Sequence, residues 1–387
     1  MVLIVVGSPV PGQAVLDVAR LAAADPRLRV VFTAAPGPFA TDVEVLLRDA
    51  GTVPLPWHEA AGADFGLVVA ASRPGPAAGA PSIVLPGTPP ECVPGSPPPA
   101  SGRAPVVYAY AHERDRPPQD VVRMQPGTVV VGDSTHDRLV ASLPMRDFYR
   151  RALGVGEHRK LVVTALPAAH GTAACTGARC RSLDVVHRLL TELPSGDYHV
   201  LGVPEPGPGA CAGGRGLAVH LCNGLGLMPP EADWRAALVA ADWVVGDAGP
   251  VTWYGTVTGA PVLLTGAGPP GDVRTPPGRR SALHDQRSAL HDRAGRLVGN
   301  RPAPAQLTEA AARWRPDRAQ PVIRRITSEP GRFNRNMRRL MYGLLRLPQP
   351  ATIPVADPVS PPFRIDRPGG RGLCCPEGHP MNVCQGG

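Results

Sequence analysis

The stretch Ala240-Ala241-Asp242-Trp243-Val244-Val245-Gly246-Asp247-Ala248-Gly249-Pro250-Val251-Thr252-Trp253-Tyr254-Gly255 contains the unit from which the chain is built. Its apolar run at 243–245 lacks polar alternation, as expected of a short strand covered on both faces. Gly246 and Asp247 end that strand, and a glycine-containing turn follows. Pro250 suits the first position of a helix beginning near Val251, because its missing N–H leaves no helical bond unmade there. Backbone N–H groups at such a helix start face the carboxyl edge of a parallel sheet, where phosphate oxygens can be received.

The same unit recurs along the chain. Valine- and leucine-rich runs at 2–6, 30–33, 66–70, 83–85, 106–108, 128–131, 161–164, 199–203 and 262–264 are bounded by glycine or proline. Stretches of helical periodicity lie between them at 13–24, 42–50, 136–142, 146–153, 183–193, 234–241 and 251–257. Leu183, Val186, Leu189, Leu190 and Leu193 form one buried stripe at three- and four-residue spacing. Strand, helix, strand repeated in this way predicts an α/β fold with parallel sheets.

A polar, glycine-containing break at 154–159 separates two sets of strands, and 387 residues suffice for two such domains. The expected division is 1–152, an N-terminal Rossmann-like domain, and 153–347, a C-terminal nucleotide-binding-like domain with a final helix. Residues 348–387 read as a disordered tail. The 44 glycines and 49 prolines gather in irregular stretches such as 71–104 and 204–216, which leaves the strand–helix pattern intact. The copies Ser281-Ala282-Leu283-His284-Asp285 and Ser288-Ala289-Leu290-His291-Asp292 are too short to make a repeat architecture.

Charge and motifs exclude several functions. The net charge is +8, but Lys160 is the single lysine and the arginines are spread along the chain, so no nucleic-acid partner is expected. Neither a P-loop nor a G-x-G-x-x-G fingerprint is present, which disfavours P-loop NTPase and nicotinamide-dependent chemistry. A G-x-S-x-G elbow and an H-E-x-x-H helix are also absent. No apolar run approaches the roughly 18–20 residues that span a bilayer, and residues 1–6 have no positive leader, so a cytoplasmic protein is expected.

The segment 321–347 carries Arg324, Arg325, Arg332, Arg335, Arg338, Arg339 and Arg346, with Met337, Leu340, Met341, Leu344 and Leu345 at helical spacing. An amphipathic helix over 334–345 follows, and its apolar stripe is expected to dock on the protein. Its arginines also make 334–346 a candidate for peripheral contact with a membrane surface.

Residues of chemical interest lie after the strands. In Val129-Val130-Val131-Gly132-Asp133-Ser134-Thr135-His136-Asp137 a strand ends in glycine and an acid, and Asp133 or Ser134 can cap the next helix. His170 follows the first strand of the second half, and its imidazole suits proton transfer near neutrality. Cys374, Cys375, His379 and Cys384 lack the usual spacing of a zinc grip, and Cys175 with Cys180 is a weak redox or metal pair, so no metal site is expected.

Four segments carry a resemblance: Val130 through Leu139, Tyr149-Arg150-Arg151-Ala152-Leu153-Gly154-Val155, Leu189-Leu190-Thr191-Glu192-Leu193-Pro194, and Pro229 through Asp242. They resemble a group of actinobacterial proteins of the glycosyltransferase B fold, related to CDP-glycerol glycerophosphotransferases and more distantly to UDP-N-acetylglucosamine 2-epimerases. The resemblance covers most of 1–347, including Ile326-Thr327-Ser328-Glu329-Pro330-Gly331-Arg332. It implies two Rossmann-like domains facing a central cleft, with a nucleotide-diphosphate donor, CDP-glycerol or a nucleotide sugar, in that cleft and no tightly bound cofactor.

Within that reading, Asp247, Gly249 and Thr252 would hold the donor phosphates, Asp133 and His136 would line the hinge side, Glu231 would contact the nucleoside sugar hydroxyls, and His170 would be the general base. The chain departs from the group at three loops. The group has Asp-His-Gly-Ser where this chain reads Asp247-Ala248-Gly249-Pro250, Pro-His-Gly where it reads Leu85-Pro86-Gly87-Thr88, and His-Pro-Asn where it reads Pro204-Glu205-Pro206. Loss of one transition-state donor can cost about 3 kcal/mol. The expectation is therefore a transferase of impaired activity, with a non-catalytic binding or interaction protein on the same scaffold as the alternative.

Overall fold

Two six-stranded parallel sheets organise the chain. The computed structural model describes residues 1–7, 12–37, 40–49, 51–71, 79–86, 104–116, 127–166, 181–204, 215–229, 232–265, 289–352 and 354–362. The first sheet comprises β1 (Val2–Val6), β2 (Val30–Ala34), β3 (Leu67–Ala71), β4 (Ser82–Leu85), β5 (Val106–Tyr110) and β6 (Thr128–Val130), in the order β2-β1-β3-β4-β5-β6. β1 pairs on both sides, with Ile4 opposite Phe32 and Val69, and all its residues are buried. Helices α1 (Gly12–Ala23), α2 (Ala40–Asp49) and α3 (Trp57–Gly62) connect or flank these strands.

After β6 come α4 (Ser134–Ser142) and α5 (Arg146–Ala152), and then the second sheet. Its elements are β7 (Lys160–Leu166), α6 (Arg181–Glu192), β8 (Tyr198–Pro204), α7 (Arg215–Cys222), β9 (Gly226–Leu227), α8 (Arg235–Ala240), β10 (Trp243–Gly246), α9 (Pro250–Gly255), β11 (Val262–Leu264) and β12 (Gly295–Arg296). The strand order is β12-β11-β10-β7-β8-β9. The chain thus winds outward from β7 through β8 to β9 and returns to β10 on the other side of β7. Three helices close the fold: α10 (Ala303–Arg313), α11 (Pro316–Ile326) and α12 (Phe333–Leu345).

Each run read as a strand is one. The two-residue strands β9 and β12 carry no apolar run to betray them, and they lie at the sheet edges. α11 was equally hidden, because it contains Pro321, a residue that ordinarily ends a helix.

Packing crosses the order of the chain. Leu139 of α4 and Tyr149 of α5 belong to the core of the second sheet, although both helices precede it in sequence. Conversely, α12 follows the second sheet and buries Phe333, Met337, Met341 and Tyr342 in the core of the first. The crossing passes over the end of β6 at Gly132, whose φ is +94° and where a Cβ would stand 2.8 Å from the Glu329 carbonyl oxygen. Glycine is required there both by the left-handed backbone and by the close approach.

α12 docks by its apolar stripe, and Arg335, Arg339 and Arg346 remain exposed. Arg338 instead is buried, donating to the Pro350 and Thr352 carbonyls. The expected tail beginning at 348 is corrected over its first part. Val359 is buried in the second core, its N–H donates to Ser142 Oγ at 2.9 Å, and its carbonyl accepts from the Tyr149 hydroxyl at 2.7 Å. Pro358 accepts from Arg138, and Asn334 donates to the Pro354 and Val355 carbonyls. A single apolar side chain with satisfied backbone groups is enough to hold the segment down, and no periodic pattern announces it. Residues 363–387 lie outside the described residues.

Candidate functional site

In doubly wound sheets the ligand crevice opens at the carboxyl ends of the strands where the winding reverses, here between β1 and β3 and between β7 and β10. The loops 8–11 after β1, 72–78 after β3 and 167–180 after β7 lie outside the described residues; the turn after β10 is described.

That turn is built on contact. Gly246 is buried, and a Cβ on it would stand 2.5 Å from Ala165 Cβ on neighbouring β7 and 3.2 Å from Thr252 Cγ2. Only glycine lets the strand end pack this closely. Beyond it the turn satisfies itself: Gly249 N–H donates to the Asp247 carbonyl at 2.8 Å and to Thr252 Oγ1 at 3.1 Å. The Thr252 hydroxyl in turn lies 2.7 Å from the Asp247 carbonyl and 2.9 Å from that of Gly249.

This geometry corrects two expected roles. Thr252 is fully buried and its hydroxyl is committed to the turn, so it shapes the site without reaching a phosphate. The Gly249 N–H is likewise spent within the turn, and Pro250 has none to offer. Asp247 is exposed and accepts from Thr265 Oγ1 at 2.6 Å through Oδ1. Its other oxygen has no hydrogen bond among the described residues. A carboxylate only accepts, so Asp247 is matched to a hydroxyl and not to a phosphate oxygen.

Asp133 and His136, the residues expected on the hinge side, make their hydrogen bonds within the protein. Asp133 caps α4, accepting from the His136 N–H at 2.7 Å, and its second oxygen accepts from the Tyr254 hydroxyl of α9 at 2.8 Å. Burial pushes its carboxyl above the ordinary value, against the lowering effect of these bonds. His136 is buried with Nδ1 at 3.0 Å from Asp137 Oδ1. Asp137 itself accepts from the Gly331 N–H at 2.7 Å and the Phe333 N–H at 3.0 Å, which ties the start of α12 to α4. Both residues thus serve the junction of the two halves. His170, Glu231, Cys175, Cys180 and the cysteines and histidine of 374–384 lie outside the described residues. Among the described residues no group of three or more His, Cys, Asp or Glu side chains is arranged to hold a metal.

The largest polar feature of the junction escaped the sequence reading. Arg235, 1% exposed, donates to Asp17 Oδ2 at 2.8 Å and bidentately to Asp233 at 2.7 and 2.8 Å. Arg138 adds a bond of 2.6 Å to Asp17 Oδ1. Burial alone would raise the Asp17 carboxyl, but Arg235 and Arg138 beside it hold it below the usual carboxylate value. Asp17 belongs to α1 on the first sheet and Arg235 to α8 on the second, so the network clamps the halves together. The only local sign was Asp233 two residues before Arg235; 218 residues separate Asp17 from its partner.

No family model matches the chain, and no curated protein matches it. Among solved structures, a variant of the wall teichoic acid polymerase TagF is similar with a TM-score of 0.55 at 11% identity, over 89% of this chain and 88% of that one. TagF without a substitution gives 0.53 at 10% identity, over the same shares of the two chains. The fold is that of glycosyltransferase B. UDP-GlcNAc 2-epimerase from Neisseria meningitidis bound to UDP-GlcNAc is a weaker likeness, with a TM-score of 0.49 at 10% identity over 89% of this chain and 99% of that one, and adds nothing to the assignment.

Proposed function

We propose that the protein binds a nucleotide-diphosphate-linked donor, CDP-glycerol or a nucleotide sugar, in the cleft of its glycosyltransferase B fold, and that it is a transferase of impaired activity. The observation that supports this most directly is Asp247, exposed after β10 at the reversal of the winding, with one carboxylate oxygen uncommitted among the described residues. That oxygen would accept from a hydroxyl of the donor's ribose, glycerol or sugar. Thr252 would keep the turn in shape, and His170 and Glu231 remain the proposed general base and sugar-hydroxyl contact. Impairment is argued from the turn itself, where Ala248 and Pro250 offer no side-chain donor and the Gly249 N–H is already used.

A thermal-shift titration of the purified chain with CDP-glycerol, CDP, UDP-GlcNAc and UDP tests the reading, since a ligand that binds only the folded state raises apparent stability. A concentration-dependent shift with one donor, lost in Asp247→Ala, supports it. A well-folded protein that none of them shifts would sink it. The self-satisfied turn and the clamp at Asp17 also favour a second reading, a non-catalytic binding protein on the same scaffold; donor binding with no acceptor-dependent release of nucleotide would select it. Peripheral contact of α12 with an anionic membrane would be electrostatic, through Arg335, Arg339 and Arg346, since the apolar stripe faces inward. Salt-sensitive sedimentation with anionic vesicles tests that part.

A further inference from the structure

A groove of about 400 Å³ lies at the far edge of the second sheet, between the β12 segment and α10 with the start of α11. Its lining combines an apolar part, including Val262, Leu263 and Ala310, with five arginines against two acids, Asp292 and Glu309. Glu309 is shared by Arg301 and Arg313, at 2.7 Å from each, and Arg293 reaches Asp292 only at 4.0 Å. Arg296 and Arg318 are exposed, and among the described residues neither guanidinium has an ion-pair or hydrogen-bond partner, the Arg318 backbone N–H alone donating to the Arg315 carbonyl at 3.0 Å. Among the described residues the groove therefore keeps an excess of positive charge. Val262 and Leu263 of the lining pair with Val244 and Val245 inside β10, so the groove lies beside β11 and does not include the turn that carries Asp247.

We propose that this groove is an anion site for a ligand carrying two or more phosphoryl groups, recognised by Arg296 and Arg318 and distinct from the donor cleft. Guanidinium groups offer several N–H donors in a planar fork that matches phosphate oxygens, and a single phosphoryl group would leave one of the two free arginines unused. The apolar part of the lining lowers water's competition for those bonds. The phosphoryl groups can be carried on an inorganic chain or on a small organic backbone. The inference stands independently of the donor reading.

Calorimetric titration of the full chain with inorganic tripolyphosphate, and separately with a hexose bisphosphate, tests it at about 0.15 M salt, where weak surface attraction is screened. Saturable binding is expected, weakened about tenfold or more in the double variant Arg296→Gln, Arg318→Gln, which removes two charge-assisted contacts. The double variant Arg296→Lys, Arg318→Lys should retain part of the affinity, and Asp247→Ala should leave it unchanged. Tighter binding of the bisphosphate would place the organic backbone on the apolar part, and tighter binding of tripolyphosphate would identify an inorganic chain. The proposal is overturned if wild type does not bind either probe by about 1 mM, or if the glutamine variant, folded by circular dichroism, binds as wild type does. Failure of CDP-glycerol to bind would leave this outcome untouched, because Asp247 reports on the cleft and the arginines on the groove.

Discussion

Gly246 shows how a single position sets the site. The strand β10 must approach β7 closely enough for its carboxyl end to turn into α9, and the space for a methyl group is already taken by Ala165. Gly246→Ala is expected to destabilise the protein by about 1–3 kcal/mol through overpacking, read as a lower denaturant midpoint with an unchanged slope. Gly246 was readable as the end of a strand, since glycine after an apolar run marks a stop. The commitment of Thr252 was not readable, because a threonine at a helix start can point outward to a ligand or inward to its own turn, and the choice rests on neighbours that fill the outward space. Asp247 followed the opposite course: its position after the strand was visible, and its suitability for a hydroxyl emerged only once the adjoining amide was found to be spent.

At the level of elements, α12 depends on an acid outside itself. Arg332, which precedes it, makes no side-chain cap, and the Gly331 and Phe333 N–H groups are taken by Asp137 of α4. Asp137→Ala is expected to cost about 1–2 kcal/mol, the scale of a lost helix cap. Hydrogen exchange should locate the loss in α12 and leave β1 and β7 protected. Two histidines of the second half, His199 half-buried and His220 buried, add a pH response. Burial lowers the pKa of His199 and His220 from 6.5, so each contributes stability that is present above about 6.5 and lost as pH falls through its folded value. The denaturant midpoint is expected to drop between pH 7 and pH 5 (about the range in which histidine titrates), and by less in His220→Gln.

At the scale of the molecule, the clamp of Asp17, Arg138, Arg235 and Asp233 couples the two sheets. Removing one member leaves a buried charge uncompensated, so Arg235→Met is expected to cost about 3–5 kcal/mol, and small-angle scattering should show the two halves drawing apart. Because the Asp17 carboxyl is held below 3.8, its contribution is complete above that pH and lost as pH falls through its folded value. The stability gap between wild type and Asp17→Asn is accordingly expected to be widest at neutral pH and to close below about pH 3.8. Moving the two halves apart would break this buried network.

The amino-acid sequence by itself determined the local units: which runs become strands, where glycine ends them, and that the result is two parallel sheets with a docked amphipathic helix. These follow from periodicity and backbone sterics, which act over a few residues. Tertiary structure alone decided that α4 and α5 pack forward on the second sheet, that α12 packs back on the first, that 354–362 is held by Tyr149 and Ser142, and that Asp17 meets Arg235. Those pairings depend on where burial and charge compensation bring distant residues together, and no spacing in the chain encodes a meeting across 218 positions.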